Sequence, residues 1–430
     1  MKRAPLGMAA LFAVVALLAM VVLAACSTDS TSSPEPSPTE SLEPPKPVSL
    51  TFGAWGTDAE IAAYGEIIDE FGAARPAVTV QATTFDGPGD LDAALVDGTA
   101  PEVFLATREQ IQAFASEDRL LPVDSFLDAR RVNLGDDIYR SATEALSNQS
   151  RLMCMPFAVS AEVIYYNTDL VDFAEMAEAG VEVPGEDEAG WSTSQFWQAV
   201  AWARAEGVYV EETVQGIAPW LTSAGAGIFD RAVDPTSLVL SPGGMESLLD
   251  PLEGNQAEVR NPVRAFEKGR LAVLVADRSI VPTLRASAVP FDAMPMPGSA
   301  ATSGTVSGIC LNATAAEPET AADLMVAFNS EDAGSAIAGT GSLVPANRVA
   351  VASAAFSAKA PLNTEAFDLT AANLRPLPAG VDWDALEVAV DPFIKAMFVP
   401  GADLEALTDQ ANEASRAVLA PDDTADSLGG

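Results

Sequence analysis

Residues 155–170 decide the fold: Met155-Pro156-Phe157-Ala158-Val159-Ser160-Ala161-Glu162-Val163-Ile164-Tyr165-Tyr166-Asn167-Thr168-Asp169-Leu170. An apolar run with an early proline opens the stretch, and residues 163–166 then have the aromatic and β-branched composition of a strand. The chain alternates predicted strands with predicted helices on both sides of this stretch. We therefore interpret it as the passage from one α/β lobe into a second lobe.

The residues before this passage have the pattern of an α/β domain. Residues 48–52 alternate like a strand, and Thr57-Asp58-Ala59-Glu60 has the form of a helix capping box. Apolar residues then recur at helical spacing until Arg75-Pro76, after which residues 78–81 begin a second strand. The apolar run at 101–106 is typical of a strand in a parallel sheet that is covered on both faces. Strands alternating with helices predict an α/β fold.

The residues after the passage continue this alternation. They predict a helix over 192–205, a helix over 261–269 that leads into a strand over 271–275, and a mostly helical final third. The chain has 430 residues, of which 49% are apolar. Because single cores stop growing at about 250–300 residues, a chain of this length predicts two lobes.

The first 47 residues predict a membrane tether and not a folded domain. Lys2 and Arg3 precede an uncharged apolar stretch that ends in Leu23-Ala24-Ala25-Cys26, which is the pattern of a signal peptide. The tetrapeptide resembles the lipobox of bacterial lipoproteins, whose cysteine carries lipid. An uncleaved transmembrane helix is the alternative that the length permits. We expect removal of residues 1–25, a lipid on Cys26 at the outer face of the cell membrane, and a disordered Ser/Thr/Pro-rich tether over 26–47.

Charge and composition argue against several functions. The formal net charge is −38 and becomes −40 once Lys2 and Arg3 are removed, so we expect no nucleic-acid partner and no membrane contact beyond the lipid. The chain has no histidine, which is the usual general base and the commonest metal ligand. We expect no metal, no cofactor and no catalytic residue, and we predict that the chain is not an enzyme.

Two cysteines remain once Cys26 carries lipid. Cys154 and Cys310 each lie in a short apolar run of strand character, in a compartment where disulfides persist. They either pair as a disulfide or remain two buried thiols that pack as small apolar side chains. The residues themselves leave both alternatives open.

Together these motifs resemble the family 1 extracellular solute-binding proteins, the maltose-binding-protein-like components of ABC importers, over residues 48–420. Residues 155–160 followed by 165–170 are similar to the family's proline-led crossing strand and its Tyr-Asn-x-Asp-Leu motif. Shorter stretches resemble other family elements in the same order: 98–103, 266–272, 304–312 and 341–346.

The resemblance implies a two-lobe periplasmic-binding-protein fold of type II, with a hinge and an interlobe cleft. Lobe I would comprise 48–157 and 308–355, and lobe II 159–306 and 356–420, leaving 421–430 as a disordered tail. The strands that hold Cys154 and Cys310 would then lie side by side near the hinge. We expect a monomer that closes over a small solute and delivers it to ABC permease subunits.

The expected solute is a mono- or oligosaccharide, because aromatic rings and polar side chains together bind sugars. One departure weakens this expectation: the family often places a tryptophan where this chain has Ala276-Asp277-Arg278-Ser279, which suits a more polar ligand. A non-sugar solute such as a polyamine is therefore an alternative. A secreted glycoside hydrolase with two opposed carboxylates and a purely adhesive role are more remote ones.

Candidate solute contacts follow strands, alternate within them or lie at helix starts: Trp55, Phe85, Asp86, Thr107, Arg108, Glu109, Ser160, Tyr165, Tyr166, Trp220, Asp277, Arg278 and Trp383. Trp55 lies between a strand and a capped helix, which predicts an indole exposed at the cleft mouth. One of the two adjacent tyrosines is expected to pack and the other to reach the cleft. Surface-loop roles remain alternatives for residues 85–86 and 107–109, and core packing remains one for Trp220 and Trp383. Asp277 and Arg278 could instead pair with each other. Three further tryptophans are assigned to packing: Trp191, Trp197 and Trp202.

Overall fold

The computed structural model describes residues 46–420 except for 133, 136, 186–189 and 204–206. The predicted signal peptide, the lipid-bearing Cys26, most of the predicted tether and the predicted tail at 421–430 lie outside the described residues. Within the described residues, no helix is both long enough and apolar enough to cross a membrane.

The described residues form strands and helices in alternation, as the sequence predicts. The strands are β1 (Val48–Ala54), β2 (Val78–Thr84), β3 (Val103–Thr107), β4 (Ser147–Asn148), β5 (Arg151–Leu152), β6 (Cys154–Ala161), β7 (Val163–Asn167), β8 (Val273–Ala276), β9 (Phe291–Met294), β10 (Thr302–Leu311), β11 (Val344–Pro345) and β12 (Leu374–Pro376).

The helices cover most of the remaining chain, and a short 3-10 helix covers Arg278–Ile280. The α-helices are α1 (Asp58–Ala74), α2 (Pro88–Val96), α3 (Arg108–Ser116), α4 (Asp124–Ala129), α5 (Arg140–Ala145), α6 (Phe173–Glu178), α7 (Thr193–Ala203), α8 (Val214–Ser223), α9 (Pro242–Leu252), α10 (Pro262–Glu267), α11 (Val281–Ala286), α12 (Pro318–Ala327), α13 (Glu331–Thr340), α14 (Arg348–Val351), α15 (Ala354–Ser357), α16 (Thr364–Ala372), α17 (Trp383–Met397) and α18 (Leu404–Leu419).

The first helix begins where its sequence predicts. The hydroxyl of Thr57 accepts a hydrogen bond from the backbone N–H of Glu60 at 3.3 Å, and the Glu60 carboxylate accepts one from the backbone N–H of Thr57 at 2.7 Å. This reciprocal pair is a capping box, and it satisfies backbone donors that the first turn leaves free. The helix ends at Ala74, as the following Arg75-Pro76 predicts.

The larger sheet has the strand order β11-β6-β10-β3-β1-β2, and β12 also pairs with β10. Strand β1 runs parallel to β2 and β3, whereas β10 runs antiparallel to β3 and β6. Because parallel strands end at the same edge, the residues that follow β1, β2 and β3 lie along one side of the sheet. This edge carries several of the candidate residues.

The smaller sheet is antiparallel and has the order β8-β7-β9. Only Glu162 separates β6 from β7, so the chain passes directly from the larger sheet into the smaller one within the stretch 155–170. Alternate residues of β7 pack in two different cores: Tyr165 in the core of the larger sheet, and Ile164 in a core built with α7, α8, α17 and α18.

The described residues form two apolar cores, as the length of the chain predicts. The boundaries of the two lobes remain a prediction. The larger core contains Phe104 from the first proposed lobe together with Phe266 from the second. Phe356 and Phe367, which the prediction assigns to the second lobe, also pack in this larger core.

Cys154 and Cys310 form a disulfide that joins β6 to β10. The two residues lie directly opposite each other in the antiparallel register, with their Cα atoms 4.5 Å apart. A short Cα separation of this kind is typical of a non-hydrogen-bonded antiparallel pair, in which the side chains approach closely. Of the two alternatives that the sequence leaves open, the structure has the disulfide.

Candidate functional site

Two aromatic candidates lie at the edge where the parallel strands end. Trp55 directly follows β1 and Phe85 directly follows β2, and the last residues of these strands, Ala54 and Thr84, are paired. Both rings are half-buried and pack against the larger core. Each ring therefore keeps an exposed part at the same edge of the sheet, which is where α/β folds bind ligands.

The loop after β2 is held close to β1. The backbone N–H of Phe85 donates to the carbonyl of Ala54 at 2.9 Å, and the backbone N–H of Asp86 donates to the Asp90 carboxylate at 2.9 Å. The side chain of Asp86 is exposed. The loop thus places an aromatic ring and a free carboxylate next to each other.

The residues after β3 are placed by the cap of α3. Thr107 caps this helix in a second capping box with Gln110. Arg108 is only 7% exposed, and its Nη1 donates to the carbonyl of Leu377 at 2.6 Å. Burial lowers the pKa of Arg108, and the neighbouring Glu109 carboxylate partly restores it. Arg108 therefore fastens the chain after β12 to the larger sheet and offers little surface to a solute.

A polar strip continues from α3 across the two antiparallel strands. Glu109 is exposed and accepts a hydrogen bond from the Thr305 hydroxyl at 3.1 Å. Thr305 lies opposite Ser160 in the pairing of β10 with β6, and Ser160 is half-buried. The strip thus leads from the edge of the larger sheet to the junction with the smaller one.

At this junction two carboxylates lie next to the ends of adjacent strands. Val163 pairs with Ala276, so Glu162, which precedes β7, lies beside Asp277, which follows β8. Burial, together with the negative charges of Asp277 and Glu211, raises the pKa of Glu162 to about 7. Sequence reasoning found Asp277 but missed Glu162 and Glu211. A lone acidic residue between two apolar strands was the available signal for Glu162.

Tyr165 and Arg278 are buried beneath this junction, which corrects their prediction as solute contacts. Tyr165 is fully buried and its hydroxyl donates to the backbone carbonyl of Asp277 at 3.1 Å. Arg278 is 1% exposed and lies against the rings of Phe356 and Phe367. Both side chains hold the loop that carries Asp277, and neither faces solvent.

Tyr166 is buried as well, so neither tyrosine has the exposed ring that is expected of one of them. It is 8% exposed and packs against Phe173, with ring centres 5.3 Å apart, and against Trp191 at 6.3 Å. Alternation in β7 does place the two tyrosines on opposite faces. Both faces of this short sheet are covered, however, because each core packs on one of them.

The tryptophans near the smaller core pack against other side chains of that core. Trp220 is 6% exposed, and its ring lies nearly parallel to that of Trp197 at 6.2 Å, so the packing alternative applies to it. Trp191 is buried, as predicted, and Trp197 and Trp202 also pack against this core. Trp383 begins α17, is half-buried and meets the ring of Phe229 edge-on at 5.8 Å.

Two cavities lie away from these residues, and no candidate residue lines either of them. One, of about 400 Å³, is lined by residues that include Met155 and Asn329, and the other, of about 440 Å³, by residues that include Arg348 and Asp368. In the described part of the chain, no group of three or more His, Cys, Asp or Glu side chains is arranged to hold a metal ion.

Comparison with protein families identifies one match. Residues 66–364 match the model of a family described as bacterial extracellular solute-binding protein. Among curated proteins, none is significantly similar in sequence.

Several solved structures share the fold over nearly their whole length. The sugar-binding protein MalE of Xanthomonas citri is 14% identical, with a TM-score of 0.73 over 89% of this chain and 100% of that one. An ABC substrate-binding protein of Listeria monocytogenes in complex with cycloalternan is 19% identical, with a TM-score of 0.65 over 86% and 98% of the two chains. The cyclic α-maltosyl-1,6-maltose binding protein of Arthrobacter globiformis is 17% identical, with a TM-score of 0.66 over 87% and 99%. These likenesses show the predicted α/β binding-protein fold.

Proposed function

This chain belongs to the family of bacterial extracellular solute-binding proteins, and we propose that it captures a mono- or oligosaccharide for an ABC importer. The solute would lie between the edge that carries Trp55 and Phe85 and the junction that carries Glu162 and Asp277. Membership of a family of binding proteins also confirms the prediction that the chain is not an enzyme.

One observation carries the choice of a sugar: partly exposed aromatic rings and exposed carboxylates occur at the same edge of the sheet. Trp55 and Phe85 can cover the apolar face of a pyranose ring, and the carboxylates of Asp86 and Glu109 can accept hydrogen bonds from its hydroxyls. The three structures described above are named as binding sugars or are bound to one, which supports the same choice.

The proposed mechanism is closure around the solute. The chain passes between the two sheets at Glu162, and β10, which pairs with β6, runs back into the larger sheet beside it. We place the hinge in these crossing segments. A solute that contacts both sides selects the closed state in proportion to its higher affinity for that state, and the permease would recognise the closed form.

We also propose that the mature protein is a monomer anchored at the outer face of the cell membrane by a lipid on Cys26. The small residues that precede this cysteine and the polar tether that follows it support the anchor. Replacement Cys26→Ser should release the protein into the medium and abolish incorporation of a labelled fatty acid. Retention of label on the variant would contradict the anchor.

A thermal-shift screen of the mature protein tests the sugar assignment. Saturating ligand stabilises a fold by RT ln(1 + [L]/Kd), which is about 2.7 kcal/mol at a hundredfold excess over Kd. We expect higher melting temperatures with neutral oligosaccharides and no shift with polyamines. The carboxylates of Glu162 and Asp277 at the junction would favour a cationic solute. A shift with polyamines and none with sugars would therefore contradict the sugar assignment.

Two variants make this screen specific for the proposed site. Trp55→Ala removes a half-buried ring at the edge and should abolish the shift with sugar. Trp202→Phe changes a tryptophan that packs against the smaller core and should keep it. Equal shifts in both variants would place the sugar elsewhere.

A further inference from the structure

Arg278 is a buried cation with no acidic partner among the residues that the structure describes. Its side chain is among the largest that are fully buried, and it follows Asp277 at the start of the 3-10 helix. The guanidinium Cζ lies 3.6 Å from the centre of the Phe356 ring and 4.5 Å from that of Phe367. These two rings lie in α15 and α16, and such cation–π contacts offset part of the loss of hydration.

The hydrogen bonds of this guanidinium are incomplete. Nη2 donates to the carbonyl of Phe356 at 3.2 Å, whereas Nε and Nη1 are inaccessible to solvent and have no acceptor among the described residues. Buried polar groups nearly always have a partner. An unpaired buried charge is less favourable still than an unpaired neutral group.

The surroundings of Arg278 add positive charge, and no carboxylate of the described residues is paired with it. Burial lowers the pKa of Arg278 to about 10, and Tyr165 and Arg285 are the groups that act on it, in opposite directions. The Tyr165 hydroxyl already donates to Asp277. Arg285 donates to the carbonyls of Ala360 and Lys359. Two guanidinium groups thus lie close together in a molecule whose net charge is strongly negative.

We propose that Arg278, with Arg285 nearby, binds a small monovalent anion such as chloride. Nε and Nη1 of Arg278 are its donors. A water molecule would accept these hydrogen bonds without neutralising the local charge, whereas an anion does both. Phe356 and Phe367 lie against the guanidinium and both donor atoms are closed off from solvent, so the occupant that we propose is a single-atom ion. The site is separate from the proposed solute site and does not depend on it.

Thermal unfolding in matched salts tests this site. The mature protein is heated at constant pH and ionic strength in sodium gluconate, sodium chloride or sodium bromide, since gluconate is too large to enter. For a halide concentration about tenfold above Kd, we expect a melting temperature higher by about 2 °C than in gluconate. The bulk effect of each salt is measured in the variants described next.

Two arginine variants isolate the halide effect. Arg278→Met keeps an unbranched side chain against the two rings but removes the charge and the donors, so its halide-dependent shift should disappear. Arg140 is an arginine whose side chain is 90% exposed, and Arg140→Met should keep the shift of the unmodified protein. An undiminished shift in Arg278→Met would overturn the proposal.

A crystal structure of the unmodified protein in bromide tests the anion site even if Arg278→Met does not fold. The unmodified protein should show an anomalous peak within about 3.5 Å of Nε or Nη1 of Arg278. Ordered water at that position without anomalous signal would overturn the anion site. Equal melting temperatures of the unmodified protein in all three salts would do the same.

Discussion

Gly53 lies directly beneath the ring of Phe85. A β carbon added at Gly53 would lie 2.7 Å from Cε2 of Phe85 and 2.6 Å from Cγ of Pro101. Only a residue without a side chain lets this ring rest on β1 at the edge where we place the solute.

Replacement Gly53→Ala should therefore displace Phe85 and weaken binding. We expect a loss of about 1–3 kcal/mol in the free energy of unfolding, as for other overpacked sites, and a solute Kd raised at least about tenfold. Urea unfolding and calorimetric titration measure the two effects.

The matched control is Gly65→Ala in α1. A β carbon there would have no neighbour within 4 Å, and alanine favours a helix over glycine by about 1 kcal/mol. This variant should be slightly more stable and bind solute normally. Normal binding by Gly53→Ala as well would show that the position of Phe85 does not matter to the site.

Replacement Tyr165→Phe should loosen the loop that carries Asp277. It removes the buried hydroxyl that donates to the Asp277 carbonyl, and loss of such a bond costs about 1–2 kcal/mol. We expect a solute Kd raised several-fold, although Tyr165 itself does not contact the solute. If Kd is unchanged while stability falls, Asp277 has no part in binding.

The stability of the protein should depend on pH through Glu162. Its pKa is about 7 in the folded protein, against 4.5 as the ordinary value, so the folded state holds its proton more tightly than the unfolded state. The contribution of this proton is fully present below about pH 4.5 and is lost as the pH rises to about 7. Asp277 and Glu211 are the carboxylates that raise this pKa, in addition to burial.

Replacement Glu162→Gln removes the charge that is unfavourable at neutral pH. At pH 8 we expect the variant to be more stable than the unmodified protein by roughly 1–3 kcal/mol, and at pH 4 the two should be nearly equal. Urea midpoints measured across this range provide the comparison. A constant difference between the two proteins at all pH values would argue against a titrating Glu162.

The disulfide between Cys154 and Cys310 should stabilise the fold strongly. The two cysteines are 156 residues apart in sequence, and closing a long loop restricts the unfolded chain, which contributes about 2–5 kcal/mol. The double variant Cys154→Ala, Cys310→Ala should lose stability of that order, and added reductant should have no further effect on it. Recovery of both thiols free in non-reducing peptide maps of the mature protein would contradict the bond.

The fold could be predicted from the sequence because its signals are local. The Thr57 capping box and the proline after Arg75 each carry their own physical reason and lie where expected. The apolar run predicted at 101–106 contains most of the strand, which covers Val103–Thr107. The disulfide could not be decided from local pattern, since it depends on the register of β6 against β10.

The candidate site was harder to predict because side-chain exposure depends on packing from distant residues. Tyr165 and Arg278 look polar in sequence, yet Phe356 and Phe367, far along the chain, cover them. Trp220 is covered in the same way by α7. Trp55 and Phe85 are half-exposed because they follow strands at one edge, which is a property that the sequence does reveal.

A crystal structure with the sugar that gives the largest thermal shift would locate the solute in the protein. Our account requires sugar density in contact with Trp55 on one side and with the loop of Asp277 on the other. Density confined to the cavity beside Met155 and Asn329, or none at a saturating concentration of sugar, would contradict it.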